Sequence, residues 1–416
     1  MRHQKFSIGL AVALAFVGAT LFVTAARLTA QTEKVLLDLT YDGGVGGDPQ
    51  AGLIVDAKGN LYGTTAFGGA RAGGSVFELT PAKGGTWSVK PLHLFLTGIH
   101  DGQRPQGGVT FDAAGNLYGT TYWGGTSNIG TVFELLPQPN GTWKEKQLYS
   151  FRNSTSDGNG PQAGVIFDAA GNLYGTTWIG GAFNLGTVFE LMPQAGGGWK
   201  EKLLHSFGNG GPDGYTPLAG LTIDSAGNLY GTTANGGTYG AGTVFELTRT
   251  PQGPWTEKVL YGFNRSGDGN FPYGALIFDV AGNLYGTTTQ GGAYGWGTAF
   301  ELSPSVSGQW TETILYNFNN DNVTGTTPYS KLIFDPKGNL YGTAEGGGAF
   351  NYGVAFELMP ATGGDWTETV LYNFGGLAGD GAVPLGSLVF GVGGRLYGTT
   401  DEGGTTGYGT VFELTP

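Results

Sequence analysis

Asp168-Ala169-Ala170-Gly171-Asn172-Leu173-Tyr174-Gly175-Thr176-Thr177, followed by Gly180-Gly181 and Gly186-Thr187-Val188-Phe189-Glu190-Leu191, is one unit of a pattern that fills the chain. Its tyrosine recurs at Tyr62, Tyr118, Tyr174, Tyr230, Tyr285, Tyr341 and Tyr397, in steps of 56 with one step of 55. The Phe-Glu-Leu glutamates keep that register at Glu78, Glu134, Glu190, Glu246, Glu301, Glu357 and Glu413, as do Pro49, Pro105, Pro161, Pro217, Pro272, Pro328 and Pro384. A long motif recurring in register predicts one supersecondary unit per copy, stacked on its neighbours.

Each unit reads as four short strands, A to D. In the fifth copy strand A is Ala275 to Asp279, and Val280-Ala281-Gly282 turns the chain into strand B, Asn283 to Thr288. The last turn residue is glycine in every copy, from Gly59 to Gly394, as a tight hairpin with positive φ requires. Strand C is Thr298 to Leu302, reached through a glycine-rich loop in which Asn128, Asn184, Gly240, Gly295, Asn351 and Gly407 share one position. Asn/Gly interchange marks a left-handed residue, and copy one departs from it with Ala72. Strand D is Trp310 to Phe318; strict alternation puts Trp310, Glu312, Ile314, Tyr316 and Phe318 on one face and Leu315 on the other.

Four antiparallel strands in about 50 residues is the size of a propeller blade. The seventh copy stops after strand C, whereas Thr32-Glu33-Lys34-Val35-Leu36 repeats the strand-D string Thr256-Glu257-Lys258-Val259-Leu260. An N-terminal strand D completing the last blade would close the ring and leave no open edge. The expected fold is therefore all-β: a seven-bladed propeller over residues 31–416, closed 3+1.

Composition agrees. The 416 residues hold 81 Gly, 25 Phe, 20 Tyr and 9 Trp, no Cys, and 12% charged residues. Disordered, collagenous and disulfide-framework chains are excluded. Met1 to Lys5 is basic and Phe6 to Ala26 is uncharged and apolar, which predicts a signal peptide or N-terminal anchor over residues 1–30 and an exported protein, extracellular or periplasmic. Without Arg2, Lys5 and Arg27, 17 of the 20 bases face 32 acids. That acidity disfavours nucleic acid and anionic lipid, so no membrane contact is expected beyond residues 6–26.

The repeated string resembles the GloVer (Gloeo/Verruco) tandem repeat of bacterial extracellular proteins over residues 32 to 416, with Gly391, Arg395 and Ala344 as departures. The resemblance implies an exported repeat protein and brings no activity with it. More distantly, Asp-x-x-Gly-Asn-Leu-Tyr is similar to the hairpin of the NHL and streptogramin-lyase propellers.

Seven equivalent Phe-Glu-Leu glutamates read as a structural network between blades, their partners being Tyr62-type hydroxyls, Thr64-type hydroxyls or Trp87-type indoles. The strand-A aspartates such as Asp168 read as turn formers. The Asp-Gly pairs at Asp101, Asp157, Asp213, Asp268 and Asp380 also read as turns, with no calcium-loop run. His93 and His205 stand where other copies carry Tyr149, Tyr261, Tyr316 and Tyr372 and read as packing residues, leaving His100 in a loop. No catalytic motif, metal site or cofactor is expected.

Variation among copies is concentrated in the B-to-C loops, which in a four-stranded blade share a face with the D-to-A loops. The candidate ligand-binding residues are Trp123, Trp178, Tyr239, Tyr294, Trp296, Tyr352 and Tyr408, near Phe67, Tyr122, Phe183 and Phe350 and the acids Glu345, Asp401 and Glu402. Exposed aromatics beside carboxylates and amides suit stacking on sugar rings; the same rings could instead cap the Gly-Gly turns. The leading expectation is a non-enzymatic binding or scaffold protein whose partner is a glycan or another protein. The others are a lyase or hydrolase using a carboxylate such as Asp213 or Asp268, and a purely structural surface protein.

Overall fold

A computed structural model describes residues 32–415 except 43, 98–100, 153, 209, 251–252, 265–266, 362–363 and 365. The signal or anchor reading of residues 1–30 and the loop residue His100 lie outside the described residues. Seven antiparallel sheets succeed one another along the chain. In blade 5 the strands are Ile277–Phe278 (A), Leu284–Thr288 (B), Thr298–Pro304 (C) and Trp310–Asn317 (D). Blade 7 combines Val389–Phe390, Leu396–Thr400 and Thr410–Thr415 with the N-terminal strand Thr32–Asp38, paired from Thr32↔Thr415 to Asp38↔Thr410. The ring is a seven-bladed propeller closed 3+1, as the repeat register requires.

Strand A is shorter than its sequence suggests. Only Ile277 and Phe278 pair with strand B, because the residues before them crowd the ring centre. A Cβ on Gly107 would lie 2.4 Å from the Gly164 nitrogen of the next blade, so there is no space there for a broader strand.

Strand D departs from strict alternation. Ala299 faces Tyr316 while Phe300 faces Ile314, leaving Leu315 as the extra residue of a β-bulge. The bulge turns Leu315 into the core, where it is 7% exposed, and Leu148, Leu260 and Leu371 repeat this. Strict alternation places Leu315 outside; one inserted residue reverses the phase of the strand beyond it.

The core lies between blades. Phe151, ending strand D of blade 2, meets Phe189 of blade 3 edge to face at 5.2 Å, and equivalent pairs recur through Phe374–Phe412. Leu39 takes this place at the closure, clustered with Phe77. Truncating such a buried ring costs about 3–5 kcal/mol. The interface also carries a hydroxyl tie: Thr120 Oγ1 donates to the Ala163 carbonyl of the next blade at 2.8 Å, and Thr399 to Ala51 at 2.9 Å across the closure.

Those threonines are therefore not partners of the Phe-Glu-Leu carboxylates. The tyrosines are: Tyr174 donates to Glu190 at 2.9 Å and lies 3.1 Å from Asp168, which also accepts from Asn172. In copy seven, where Gly391 replaces the aspartate, Arg395 reaches Glu413 at 3.0 Å. The two departures compensate each other: losing one carboxylate accompanies gaining a cation beside the other.

Ala72 keeps the left-handed conformation of its Asn and Gly equivalents, at φ 59°. A left-handed L-residue costs about 1–2 kcal/mol, against about 0.5–1 for the extra unfolded-chain freedom of glycine. Ala72→Gly is expected to raise stability by a few tenths to about 1 kcal/mol, read as a higher urea midpoint with unchanged slope.

Candidate functional site

Near the ring centre the residues after each repeated proline line an open cavity of about 600 Å³. The first contributes Gln50, Gln106, Gln162, Leu218, Tyr273, Tyr329 and Leu385. The third contributes Gly52, Gly108, Gly164, Gly220, Ala275, Lys331 and Ser387. Lys331 thus places an ammonium where four copies have glycine, and burial lowers its pKa. Among the described residues no carboxylate forms an ion pair with it. Sequence reasoning missed Lys331; the signal was a lysine in a column of small residues. Beside it, Tyr273 and Tyr329 stack at 4.8 Å, and burial raises both phenols, with Glu345 nearby adding to the effect.

The loop face is knitted from both kinds of loop. Gly158–Asn159 of the D-to-A loop pairs with Ile179–Gly180 of the B-to-C loop, and the pattern recurs around the ring. The residue before each repeated proline is the joint. In blade 2 the Arg104 nitrogen donates to the Gly73 carbonyl of the preceding blade at 2.9 Å, and its carbonyl accepts from Tyr122 of its own blade at 3.0 Å. Asp48, Arg104, Thr216, Phe271, Thr327 and Val383 hold φ values of 55–62° to serve this joint. For the β-branched members this is a strained backbone state, of the kind that clusters at binding sites.

The face divides into unlike arcs. Over blades 1 to 3 the rings touch: Tyr122 stacks on Trp123 at 5.8 Å and approaches Trp178 at 6.1 Å. The Arg104 guanidinium lies 4.4 Å from the rings of both Phe67 and Trp123. Tyr122 also packs on Gly160, where a Cβ would come within 2.8 Å of the ring. Gly160 stands two residues before cavity-lining Gln162. Over blades 6, 7 and 1 lies an acidic arc of Glu345, Asp401, Glu402 and Asp48. Burial, then Asp48 and Glu402, pushes the Asp401 carboxyl up to about 6, against a hydrogen bond from Gln50 that lowers it. Burial and Glu402 raise Asp48 and Glu345 as well.

Of the seven aromatics singled out from sequence, Trp123 and Trp178 are brought together, through Tyr122. Tyr352 covers Gly375, where a Cβ would lie 2.4 Å from its ring, and Tyr408 lies 5.5 Å from Tyr41, so these two cap turns. Tyr239, Tyr294 and Trp296 are exposed and make no ring contact among the described residues. None of the seven lines the cavity itself. Asp213 and Asp268 do not line it either. Asp268 is 5% exposed, accepts from Tyr261 and the Asn264 and Gly269 nitrogens, and faces Glu312 of the next blade, which assigns it to the interface between blades.

The profile of the Gloeobacter/Verrucomicrobia repeat family matches residues 18–225 and again 200–412. The chain belongs to that family. Among solved structures, this repeat protein is similar to a protein assigned as a 6-phosphogluconolactonase from Bacteroides uniformis, at 14% identity and TM-score 0.51, covering 84% of this chain and 89% of that one. It is also similar to the extracellular domain of a hybrid two-component system from B. thetaiotaomicron, at 14% identity and TM-score 0.54. That match covers 92% of this chain but 39% of the other. At such identities the likeness concerns the propeller fold alone. No curated protein matches the chain.

Proposed function

We propose that this repeat protein is an exported, non-catalytic receptor for a glycan, held on the loop face against Trp123, Tyr122 and Trp178. The supporting observation is the contiguous shelf of three rings with Arg104, joined to the cavity through the chain, since Arg104 and Gly160 stand two residues before cavity-lining Gln106 and Gln162. Sugar rings offer apolar faces to aromatics and hydroxyl edges to amides and carboxylates. The basic start and the apolar run from Phe6 to Ala26 supply the route of export.

The test is calorimetric titration of oligosaccharides into the purified protein. Trp178→Ala and Tyr122→Ala should each weaken a bound glycan by about 1–2 kcal/mol, a factor of roughly five to thirty. Trp296→Ala, outside the shelf, should leave binding unchanged. A glycan whose affinity ignores Tyr122 and Trp178 but responds to Trp296 would move the site; no binding by any glycan would favour a protein partner. A second reading, hydrolysis or elimination at the acidic arc, is favoured by the raised Asp401, since an acid titrating near 6 can donate a proton at neutral pH. Turnover lost in Asp401→Asn would support it.

A further inference from the structure

We propose that His205, Asp213 and Glu257 form a divalent transition-metal site that staples blade 3 to blade 4. His205 lies on strand D of blade 3 (Trp199–Ser206), Asp213 in the loop after that strand, and Glu257 on strand D of blade 4 (Trp255–Gly262). One donor atom from each lies within 4.8 Å of the other two, the one such trio among the described residues.

The His205–Asp213 separation suits an ion better than a hydrogen bond. His205 Nε2 stands 3.5 Å from Asp213 Oδ1, longer than the 2.7–3.2 Å of an N–H···O bond. Two ligands bound tetrahedrally to zinc at about 2.0–2.2 Å lie roughly 3.4 Å apart. His205 Nε2 and Glu257 Oε1 are closed off from solvent and have no hydrogen-bond partner. Leaving such groups unpaired is costly, and a cation answers both at once. Asp213 is already oriented, its Oδ2 accepting from the Gly208 nitrogen at 2.9 Å.

The other blade interfaces show what this position does without an imidazole. Tyr149, Tyr261 and Tyr372 occupy the His205 position and donate to Asp157, Asp268 and Asp380 at 2.7, 2.9 and 3.0 Å. A phenol satisfies the aspartate; an imidazole in its place forfeits that bond and offers a nitrogen ligand. At the closure the corresponding residues are Leu37, Val45 and Val89, so all three positions become apolar together. His93 and Asp101 repeat the histidine pair with Glu145 in the Glu257 position near both, but Asp101 Oδ2, the oxygen facing His93, already accepts from Leu96, and the three donors do not close to within 4.8 Å of one another. One nitrogen and two carboxylates suit Zn²⁺ over Mn²⁺ by the usual affinity order, and are too few for Ca²⁺, which takes six to eight oxygens. From sequence alone His205 reads as a packing residue, because its column is otherwise tyrosine.

The experiment is titration of Zn²⁺ into chelator-treated protein, followed by calorimetry and thermal unfolding, with Co²⁺ absorption as a report of geometry. One ion per chain should bind saturably and raise the unfolding midpoint by mass action. His205→Tyr installs the phenol that other blades use, so it should fold and lose both effects; Glu257→Gln should weaken them. His93→Tyr should retain both. Absence of saturable one-to-one binding, or its persistence in His205→Tyr, overturns the proposal and leaves the trio as a proton-sharing cluster.

Discussion

The purified protein is expected to melt several degrees higher at pH 5 than at pH 8. The cause is a ring of carboxylate pairs between blades. Glu33 faces Asp380, Glu201 faces Asp157 with Arg152 nearby, and Glu368 is buried near Asp321; burial, reinforced by these acids, pushes each glutamate up to about 7 from an ordinary 4.5. Burial and Asp268 raise Glu312 in the same direction. A carboxyl whose folded pKa is raised favours the native state when protonated. Its contribution is full below the unfolded value near 4.5 and is lost as pH rises through about 7. Partial exposure reduces each effect to on the order of 1 kcal/mol, so four groups together should move the midpoint by several degrees. Below about pH 4 the trend should reverse, because hydrogen bonds from Asn172, Tyr174 and the Ala170 nitrogen hold Asp168 below its ordinary value despite opposing burial, and Asp56 and Asp279 behave alike. Calorimetry across pH 3–9 measures both limbs. In Glu201→Gln the fall toward alkaline pH should be shallower, and a flat wild-type profile would contradict the assignment.

Removing residues 1–39 is expected to abolish the monomeric fold. The truncation deletes the closing strand, exposing the edge of Thr410–Thr415 from end to end. It also takes Leu36, Leu37 and Leu39 from the cluster that holds Val411, Leu61 and Phe77. Burying a leucine fully contributes about 2 kcal/mol, so the loss of buried Leu39 and half-buried Leu36 and Leu37, together with the lost ladder, rivals the 5–15 kcal/mol total stability of a typical domain. A long bare edge is also a template for pairing with another chain. Size-exclusion chromatography with light scattering should show aggregates or strand-exchanged oligomers. A synthetic peptide of residues 31–41 should restore monomer in part, since its ladder partners on blade 7 and its apolar partners Leu61 and Phe77 on blade 1 all remain. A truncated chain that stayed monomeric with an unchanged melting temperature would refute this account of the closure.

The ring was legible because its evidence was positional. Seven copies of Tyr174 and its neighbours fix the blade count, and the shared string at Thr32 and Thr256 fixes the closure. The bulge at Leu315 was hidden: alternation is a rule about phase, and one unpaired residue shifts the phase without changing composition. The partners of Glu190 were half legible, since Tyr174 and Thr176 flank the same glycine in strand B and the pairing register decides between them: Tyr174 stands opposite Glu190, and Thr176 opposite Val188. In the loops, sequence singled out seven aromatics but could not separate Trp123 and Trp178, which gather around Tyr122, from Tyr352, which covers a turn. That distinction depends on which side chains converge across blades. Lys331 was legible in principle from its column of small residues, and His205 became informative only once Asp213 and Glu257 were found beside it.

The closing strand also sets how the molecule bears force. Thr32 and Thr415 are opposite each other at the same end of an antiparallel ladder. Tension applied between the two chain ends would therefore load one rung at a time and peel the pair open like a zipper, instead of shearing all rungs together. Resistance to such a pull is set by an opening rate and not by overall stability. A ring gripped through one terminus alone would leave the ladder unloaded, so the seam that completes the fold is its mechanical fuse only when both ends are held.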